Sequence, residues 1–325
     1  MNKELMTSDK IGFSTMKMFY ENAQLFRKYQ KDLKEGKLVK KPYFDFGTAF
    51  HKLILQKDVF LTEYRVLPQF PDGKYSEAVK TLVNTRCEYE NGETDRTKEW
   101  LDNAIFAADL KCNSEALSKK IWENEKDSTY LDMFNKLVEL ENFKVLSQED
   151  WNTLISMEQS VLNSQFTEGF YLRDIEPEFN IEIHTEKNLK WYSDLLSEPL
   201  PLDSTPDRFI IDHNKKKITV LDLKTTSTTI SKFNESIEKY DYDLQGYMYT
   251  EAIKYNYKTF IESGYTIDYY ILAVEKQEPN YCWLFKMESY ENSQRKFSNI
   301  SAALINSYIS GNWNKVNGNS YPTIF

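Results

Sequence analysis

Apolar residues in the first half of the chain recur at spacings of three and four, which is the period of a helix with one buried face. This pattern predicts one helix over residues 8–35 and a second over residues 45–56. Residues 73–150 are rich in charge and carry an apolar stripe that includes Trp100 and Leu110. We expect this stretch to be a helical insertion whose charged side chains face solvent.

The second half of the chain alternates apolar and polar residues, which is the period of a strand with one buried face. Such runs lie at residues 179–183, 207–212 and 218–226, and the polar stretch 212–217 predicts an antiparallel hairpin between the last two. A helix, two strands and a last helix follow, and the whole order indicates an α/β (α+β) fold with a central sheet. The predicted ranges of these later elements are 231–257, 267–274, 281–286 and 290–310.

The change of pattern divides the chain into three parts. Residues 1–72 are helical, residues 73–150 are the helical insertion, and residues 151–325 contain most of the sheet. A chain of 325 residues can hold one large domain or two modest ones. We expect the first and third parts to form one core that the insertion interrupts.

Composition excludes several classes of protein. A hydrophobic content of 41% and an aromatic content of 15% are typical of a folded globular chain. No apolar run approaches the roughly 20 residues of a membrane span, and the first residues lack an apolar signal region, so we expect no membrane association. The spacing of Cys87, Cys112 and Cys282 fits neither a disulfide framework nor a zinc site, which favours a reducing, cytoplasmic setting. No glycine-rich nucleotide loop occurs, which argues against a cofactor-dependent enzyme of small molecules.

The formal net charge of −9 argues against a protein that binds nucleic acid over its whole surface. An enzyme that binds a metal gathers carboxylates, however, and a local basic track can coexist with an acidic average. The candidates for such a track are Lys37, Lys40, Lys41, Arg208 and Lys215–Lys217.

Acids and a lysine cluster at the predicted hairpin. Asp222 and Lys224 are two residues apart and therefore project from the same face of a strand, while Asp207 begins the neighbouring run. Two carboxylates and the Leu223 carbonyl suffice to hold Mg²⁺, which prefers oxygen ligands and retains several waters. Lys224 would then orient or deprotonate an attacking water during metal-dependent cleavage of a phosphodiester. An ordinary surface hairpin with an Asp–Lys ion pair is the alternative.

Four short motifs occur in a fixed order along the chain. They are Gly47-Thr-Ala-Phe-His51, Pro206-Asp207-Arg208, Asp222-Leu-Lys224-Thr-Thr226 and Gln245-Gly-Tyr-Met-Tyr249. In this order they resemble the PD-(D/E)xK nuclease superfamily, its RecB-like branch and, most closely, the phage exodeoxyribonuclease VIII-like (RecE-type) exonucleases. The resemblance covers residues 8–60 and 175–310 and leaves out residues 73–150.

The resemblance implies a restriction-endonuclease-like core, in which helices flank a central mixed β-sheet. It adds His51 and Glu178 to the metal ligands Asp207, Asp222 and Leu223, and it implies one or two Mg²⁺ ions, with Mn²⁺ as a substitute. Residues 1–72 would then be the part of the nuclease core that carries the histidine motif, and residues 151–325 would be the rest of that core.

Two further side chains follow from the same resemblance. Gln245 and Tyr249 lie four residues apart and share one face of a helix, and the resemblance implies that they contact the active site and the DNA backbone. Glu182 lies in the same strand phase as Glu178, and the sequence leaves the choice between these two acids open. The predicted catalytic set is Lys224, Asp222, Asp207, Gln245 and Tyr249.

These observations predict a metal-dependent DNA nuclease, namely an exonuclease that acts on double-stranded DNA ends and generates single-stranded tails for recombination. The resemblance implies 5′-to-3′ polarity, a homo-oligomeric ring and a single-strand annealing protein as a partner. Two alternatives stay open. One is a structure-specific or restriction-type endonuclease, and the other is a catalytically inactive DNA-binding or assembly protein with the same fold.

Overall fold

The structure is a computed structural model, and it describes residues 9–37, 46–86, 98–123, 129–172, 179–193 and 199–314. The chain divides into two compact units. One comprises Met1–Lys57 and Thr153–Phe325, and the other comprises Asp58–Asn152. All four sequence motifs lie in the first unit.

Helices precede and follow the sheet of the first unit and dominate the second unit. The α-helices of the described residues, in chain order, are α1 (Phe13–Glu21), α2 (Ala23–Lys34), α3 (Phe46–Leu55), α4 (Lys57–Glu63), α5 (Lys74–Arg86), α6 (Lys98–Ala107), α7 (Ser114–Ser118), α8 (Thr129–Leu140), α9 (Gln148–Asn163), α10 (Phe233–Tyr240), α11 (Tyr242–Asn256), α12 (Lys258–Glu262) and α13 (Glu291–Ser310).

The strands of the described residues are β1 (Tyr64–Val66), β2 (Lys144–Leu146), β3 (Ile181–Thr185), β4 (Leu189–Ser193), β5 (Leu200–Ser204), β6 (Arg208–Asp212), β7 (Lys217–Thr226), β8 (Thr266–Glu275) and β9 (Cys282–Met287). The main sheet has the order β3-β6-β7-β8-β9. Its β7–β8 pair is parallel and its other pairs are antiparallel, so the sheet is mixed. Strands β4 and β5 form a separate antiparallel pair, and β1 and β2 form a parallel pair in the second unit.

Strand β7 lies at the centre of the main sheet because its residues are apolar on both faces. Ile218 and Val220 are fully buried on one face, and Leu221 and Leu223 are fully buried on the other. The Val220 face belongs to a hydrophobic core that helices α1, α2, α11 and α13 complete. Representative core residues from these helices are Phe19, Phe26, Met248 and Phe297.

The mixed sheet with helices around it confirms the predicted α/β (α+β) fold class. It also confirms the predicted hairpin, because β6 and β7 pair antiparallel across the polar turn. The two later strands predicted from the sequence are β8 and β9, which pair antiparallel.

Two helices that the sequence predicts as continuous are each interrupted once. The first breaks at Asn22, whose backbone is extended and whose side chain accepts the Leu25 N–H, so that Asn22 caps α2. The second breaks at Asp241, whose φ of 59° is left-handed. Apolar periodicity runs through both breaks and therefore does not reveal them. Residues 8 and 45, where the first two helices were predicted to begin, lie outside the described residues.

The second unit has a hydrophobic core of its own. Trp100 is almost fully buried in it, and its ring lies 5.9 Å from that of Trp122 and 6.2 Å from that of Phe134. Residues of α5, α6 and α8 supply most of the remaining packing, including Leu82 and Met133. The apolar stripe that predicts helices in this part of the sequence is therefore the buried face.

Candidate metal-dependent nuclease site

The β6–β7 hairpin brings two acids face to face. Its antiparallel register pairs Arg208 with Leu221, so one step further along the ladder Asp207 lies opposite Asp222. Directly opposed residues carry their side chains on the same face of an antiparallel pair. Lys224 follows on that face two residues later. The fold thus gathers three of the predicted site residues, and it does so where the apolar Val220 face of β7 ends.

Asp207 is held from two sides. Its Oδ2 accepts a 2.7 Å hydrogen bond from the Leu223 N–H and lies 3.5 Å from Nδ1 of His51 on α3. The N–H and C=O of one strand residue point to the same edge, so the Leu223 carbonyl also lies on the Asp207 side. Strand β6 pairs with β7 only as far as Leu221, which leaves this carbonyl outside the β6–β7 ladder.

Asp222 is fully buried, and Nζ of Lys224 lies 2.5 Å from its Oδ2. This contact is an ion pair rather than a well-aligned hydrogen bond, since neither carboxylate oxygen has a hydrogen-bond partner within the described part of the chain. A buried carboxylate without hydrogen bonds is costly, and such groups are concentrated at catalytic and metal sites. Asp222 is therefore the side chain whose surroundings fit a bound cation best.

The pKa values of the two acids are shifted in opposite directions. Burial raises the pKa of Asp222 to about 6, since desolvation of its carboxylate outweighs the attraction of the Lys224 charge. Burial would also raise the pKa of Asp207, but the charge and hydrogen bond of His51, with the charge of Lys224, hold that pKa below its ordinary value. Two neighbouring carboxyls with separated pKa values are typical of sites that perform acid–base or metal chemistry.

The two basic side chains beside these acids, His51 and Lys224, both have raised pKa values. Burial lowers the pKa of His51, yet the charge and hydrogen bond of Asp207 reverse this effect and raise the net pKa above its ordinary value. Burial likewise opposes the charge on Lys224, but Asp222 and Asp207 raise its pKa. The Lys224 ammonium also lies 5.0 Å from the ring centroid of Tyr242. In the absence of a metal, Lys224 therefore carries a proton at neutral pH.

Helix α11 presents Gln245 and Tyr249 on its site-facing side. Nε2 of Gln245 donates a 2.7 Å hydrogen bond to the Tyr249 hydroxyl, while Oε1 of Gln245 is buried and has no hydrogen-bond partner in the described residues. Burial and the charges of the two acids raise the pKa of Tyr249 well above its ordinary value, so its hydroxyl stays protonated. Both side chains also line a neighbouring cavity of about 260 Å³, here called the site cavity, with Ser14 at the start of α1 and Thr205 two residues before Asp207. The two acids and Lys224 are not among the residues that line this cavity.

Gly246 allows α11 to approach the sheet. A Cβ at this position would lie within 3.0 Å of three ring atoms of Tyr269, which is fully buried on β8. The Tyr269 ring in turn meets that of Tyr249 edge-on, with centroids 6.4 Å apart. The close approach of helix and strand therefore fixes the position of the Gln245–Tyr249 pair.

We predict that Gly246→Ala destabilises the protein by about 1–3 kcal/mol, because the added methyl group overpacks the contact with Tyr269. Helix propensity alone predicts the opposite sign, since alanine favours a helix interior over glycine by about 1 kcal/mol. Chemical denaturation measures the difference. Gly169→Ala is the matched control, because a Cβ there meets no atom within 4 Å; equal stability of both variants with the parent would contradict the packing argument.

Two tyrosines next to the candidate site were not predicted from the sequence. Tyr242 lies beside Lys224, and Tyr269 has a buried hydroxyl with no hydrogen-bond partner among the residues that the structure places. Strand pairing explains the position of Tyr269. It pairs with Val220 on β7, so its side chain lies on the same face of the sheet as that of Asp222.

Of the two rival acids, Glu178 lies outside the described residues. Glu182 contacts two histidines instead of the site: its Oε1 lies 2.8 Å from Nε2 of His213, and its Oε2 lies 3.2 Å from Nε2 of His184. The histidine bonds lower the pKa of Glu182, and the strongest of them is the bond to His213. The carboxylate of Glu182 therefore contacts these two histidines and not the residues of the candidate site.

The expected contact of Arg208 with a DNA backbone is wrong. Arg208 is buried, and its Nη1 donates to the carbonyls of Phe170, at 3.1 Å, and Tyr171, while its Nε donates to Oγ1 of Thr185 at 3.2 Å. Strand alternation explains this result, because the residue after Asp207 must project from the opposite face. Of the other basic candidates, Lys215 and Lys217 pair with acids, and Lys40 and Lys41 lie outside the described residues.

The donor set of this site fits a hard divalent cation. The described residues contain no group of three or more His, Cys, Asp or Glu side chains with metal-binding geometry. Two carboxylates and a main-chain carbonyl nevertheless match the preference of Mg²⁺, which takes oxygen ligands and keeps several waters. The buried oxygens of Asp222, which lack hydrogen-bond partners, are the observation that favours such an ion.

Comparison with known families agrees with this geometry. Residues 205–310 match a family described as a PDDEXK-like domain of unknown function, DUF3799. The match includes the β6–β7 hairpin and α11, and it supports the PD-(D/E)xK-like nuclease superfamily for this part of the chain. It does not extend to His51 and does not distinguish the RecE-type branch.

Two solved structures are also similar to the chain. One is a protein of Eubacterium rectale described as a "putative exonuclease", with 9% identity over 75% of this chain and 88% of that chain, and a TM-score of 0.36. The other is SSO0001, with 9% identity over 70% of this chain and 84% of that chain, and a TM-score of 0.28. Neither similarity bears on the chemistry of the site. The comparison with curated proteins gave no match.

Within the described ranges, no helix combines the length and the apolar character needed to cross a membrane.

Proposed function

We propose that this protein is a divalent-metal-dependent DNA nuclease. The observation that carries the proposal is the buried Asp222 carboxylate, whose oxygens lack hydrogen-bond partners in the described chain and which faces Asp207 beside Lys224. An unrelated surface hairpin would expose such charges to water instead of burying them on one face. The PDDEXK-like match over the same residues supports this reading.

In this proposal Asp207, Asp222 and the Leu223 carbonyl hold Mg²⁺ or Mn²⁺, one ion or two, and His51 and Glu178 are the further candidate ligands. When bound, the cation offsets the negative charge of the phosphate and makes a water easier to deprotonate. His51 contacts Oδ2 of Asp207, so it orients that carboxylate toward the cation.

Lys224 acts on the phosphate. It is protonated in the metal-free site and lies beside Asp222, so it attracts a phosphate oxygen to the position where the carboxylates meet. The same ammonium orients the attacking water and stabilises the charge that develops in the transition state. The ring of Tyr242 limits the directions that the ammonium can take.

Gln245 and Tyr249 position the DNA. The amide oxygen of Gln245 lacks a hydrogen-bond partner in the described chain, and the protonated hydroxyl of Tyr249 can donate to a phosphate oxygen in the site cavity. The first turn of α1 contributes Ser14 to the lining of the same cavity. A nucleotide next to the scissile bond would thus contact α1 as well as α11.

The finer proposal is an exonuclease that degrades double-stranded ends in the 5′-to-3′ direction and leaves single-stranded tails. It rests on the resemblance of the four motifs to RecE-type nucleases. The same resemblance supports a homo-oligomer and a single-strand annealing protein as partner.

The test uses linear duplex labelled at the 5′ or the 3′ end, closed circular duplex and single strands, each with Mg²⁺ or with EDTA. We expect metal-dependent loss of linear duplex, with early release of the 5′ label, and intact circles. Cleavage of closed circles would instead support the endonuclease alternative. Retention of DNA binding with no cleavage under any metal would overturn the proposed enzyme in favour of a DNA-binding or assembly protein.

A further inference from the structure

A groove lies on the side of α11 away from Gln245 and Tyr249. It has a volume of about 650 Å³ and lies between β4, α11, the start of α12 and α13. Tyr192 and Tyr255 border it from β4 and α11, and each is 46% exposed. Their ring centroids are 6.2 Å apart, with the planes inclined at 56°. We call this surface the tyrosine groove.

The floor of the tyrosine groove is aromatic and rigid. Trp191, Tyr247 and Phe297 are almost fully buried beneath it, and the rings of Trp191 and Phe297 stack with centroids 5.9 Å apart. The elements that carry the two exposed tyrosines are therefore held by a packed aromatic core. The exposed ring faces of Tyr192 and Tyr255 offer a surface on which a flat apolar group can stack.

Three lysines lie at the rim of the tyrosine groove. Lys254 and Lys258 line it from the helices, and Lys190 lies on the same outward face of β4 as Tyr192, two residues before it. Lys254 pairs with Glu251 at 2.7 Å and Lys258 pairs with Glu262 at 3.8 Å, and the ammonium groups of both lysines remain partly exposed. Exposed aromatic rings beside exposed lysines match the chemistry of an unpaired, anionic nucleic-acid strand.

Strand β4 connects the groove to the site cavity. Asn188, just before β4, lines the site cavity, and its side chain donates to Oγ1 of Thr205 at 3.1 Å. Tyr192 lies four residues further along, a distance of about 13 Å at the rise of a β-strand. Lys190 lies between the two. A single strand that leaves the site cavity can therefore reach the groove within a few nucleotides.

We propose that the tyrosine groove binds single-stranded DNA by stacking unpaired bases on Tyr192 and Tyr255, with Lys190, Lys254 and Lys258 contacting the backbone. This inference rests on the proposed nuclease function and adds to it the place where the unpaired strand is held. Binding of this kind tolerates any base sequence, because every base has a stacking face.

The experiment measures binding of a labelled oligothymidine by fluorescence anisotropy in EDTA, so that no cleavage is required. We expect Tyr192→Ala and Tyr255→Ala each to weaken binding by about tenfold or more, and Tyr192→Phe and Tyr255→Phe to retain it, because phenylalanine keeps the stacking face. Tyr281→Ala is the matched control: Tyr281 is 63% exposed and does not line the groove. Circular dichroism verifies that each variant is folded.

A fully paired duplex provides the second arm, and its binding should not respond to the tyrosine variants. Unchanged oligothymidine binding in both alanine variants would overturn the proposal, as would an equal loss with Tyr281→Ala. These outcomes are independent of cleavage. A protein that binds the strand through these tyrosines but cuts nothing would contradict the nuclease proposal and leave the groove in place.

Discussion

Asp222→Asn is expected to reduce metal-dependent DNA cleavage by at least about a hundredfold. The substitution preserves the size of a side chain that is fully buried, but it removes the negative charge that Asp222 offers to a cation. It also removes the partner of Lys224, whose ammonium lies 2.5 Å from Asp222 Oδ2. Both the cation and the Lys224 ammonium would then lose a negatively charged partner. Initial rates on linear duplex at saturating Mg²⁺ measure the effect.

Asp212→Asn is the matched control for this variant. Asp212 lies at the far end of the same hairpin, where it pairs with Lys217 in the register. Its loss should leave cleavage within about twofold of the parent, since surface substitutions away from a site have small effects. Lys224→Ala should be as inactive as Asp222→Asn, whereas Lys217→Ala should remain active. Parental rates in Asp222→Asn or Lys224→Ala would remove these residues from the mechanism.

Asp222 should lower the stability of the metal-free parent, relative to Asp222→Asn, as the pH rises from about 4 to about 6. Burial raises the pKa of Asp222 from 3.8 to about 6, so the native state binds this proton more tightly than the unfolded chain does. Raising the pH through this window therefore favours unfolding, by about 3 kcal/mol in the free energy of unfolding. Urea denaturation in EDTA at a series of pH values measures the effect.

Two neighbouring groups act in other windows. The pKa of Asp207 is lowered, so its contribution to stability is lost only as the pH falls below 3.8. The pKa of His51 is raised, so its contribution is present below 6.5 and is lost as the pH rises beyond that value. The difference between the parent and Asp222→Asn therefore isolates Asp222 between pH 4 and 6. Parallel curves for the two proteins would show that the carboxyl is not strained by burial, and Mg²⁺ should restore stability only to the parent.

The sequence alone could predict those side-chain positions of the candidate site that local backbone geometry determines. Strand alternation and the register of a tight hairpin bring Asp207, Asp222 and Lys224 together, and helical spacing pairs Gln245 with Tyr249. The same alternation, applied one residue further, would have placed Arg208 on the opposite face. The expectation for Arg208 was wrong because Arg208 is next to Asp207 in sequence but does not share its face of the strand.

The remaining features depend on contacts between distant segments. Glu182 binds His213, which lies in the turn between β6 and β7, instead of contacting the site. Helix α11 can approach Tyr269 on β8 because Gly246 carries no side chain. The breaks at Asn22 and Asp241 depend on the backbone of a single residue within a continuous apolar pattern. None of these contacts leaves a periodic signal in the chain.

The unequal lengths of β6 and β7 have a consequence for how this architecture can diversify. β6 begins only at Arg208, opposite Leu221, whereas β7 continues to Thr226, so the candidate site lies where the longer strand has no β6 partner. A slip of this hairpin by two residues would keep every apolar side chain on its own face and yet separate Asp207 from Asp222. The length of the turn at residues 213–216 therefore determines the arrangement of the candidate site at the opposite end of the hairpin.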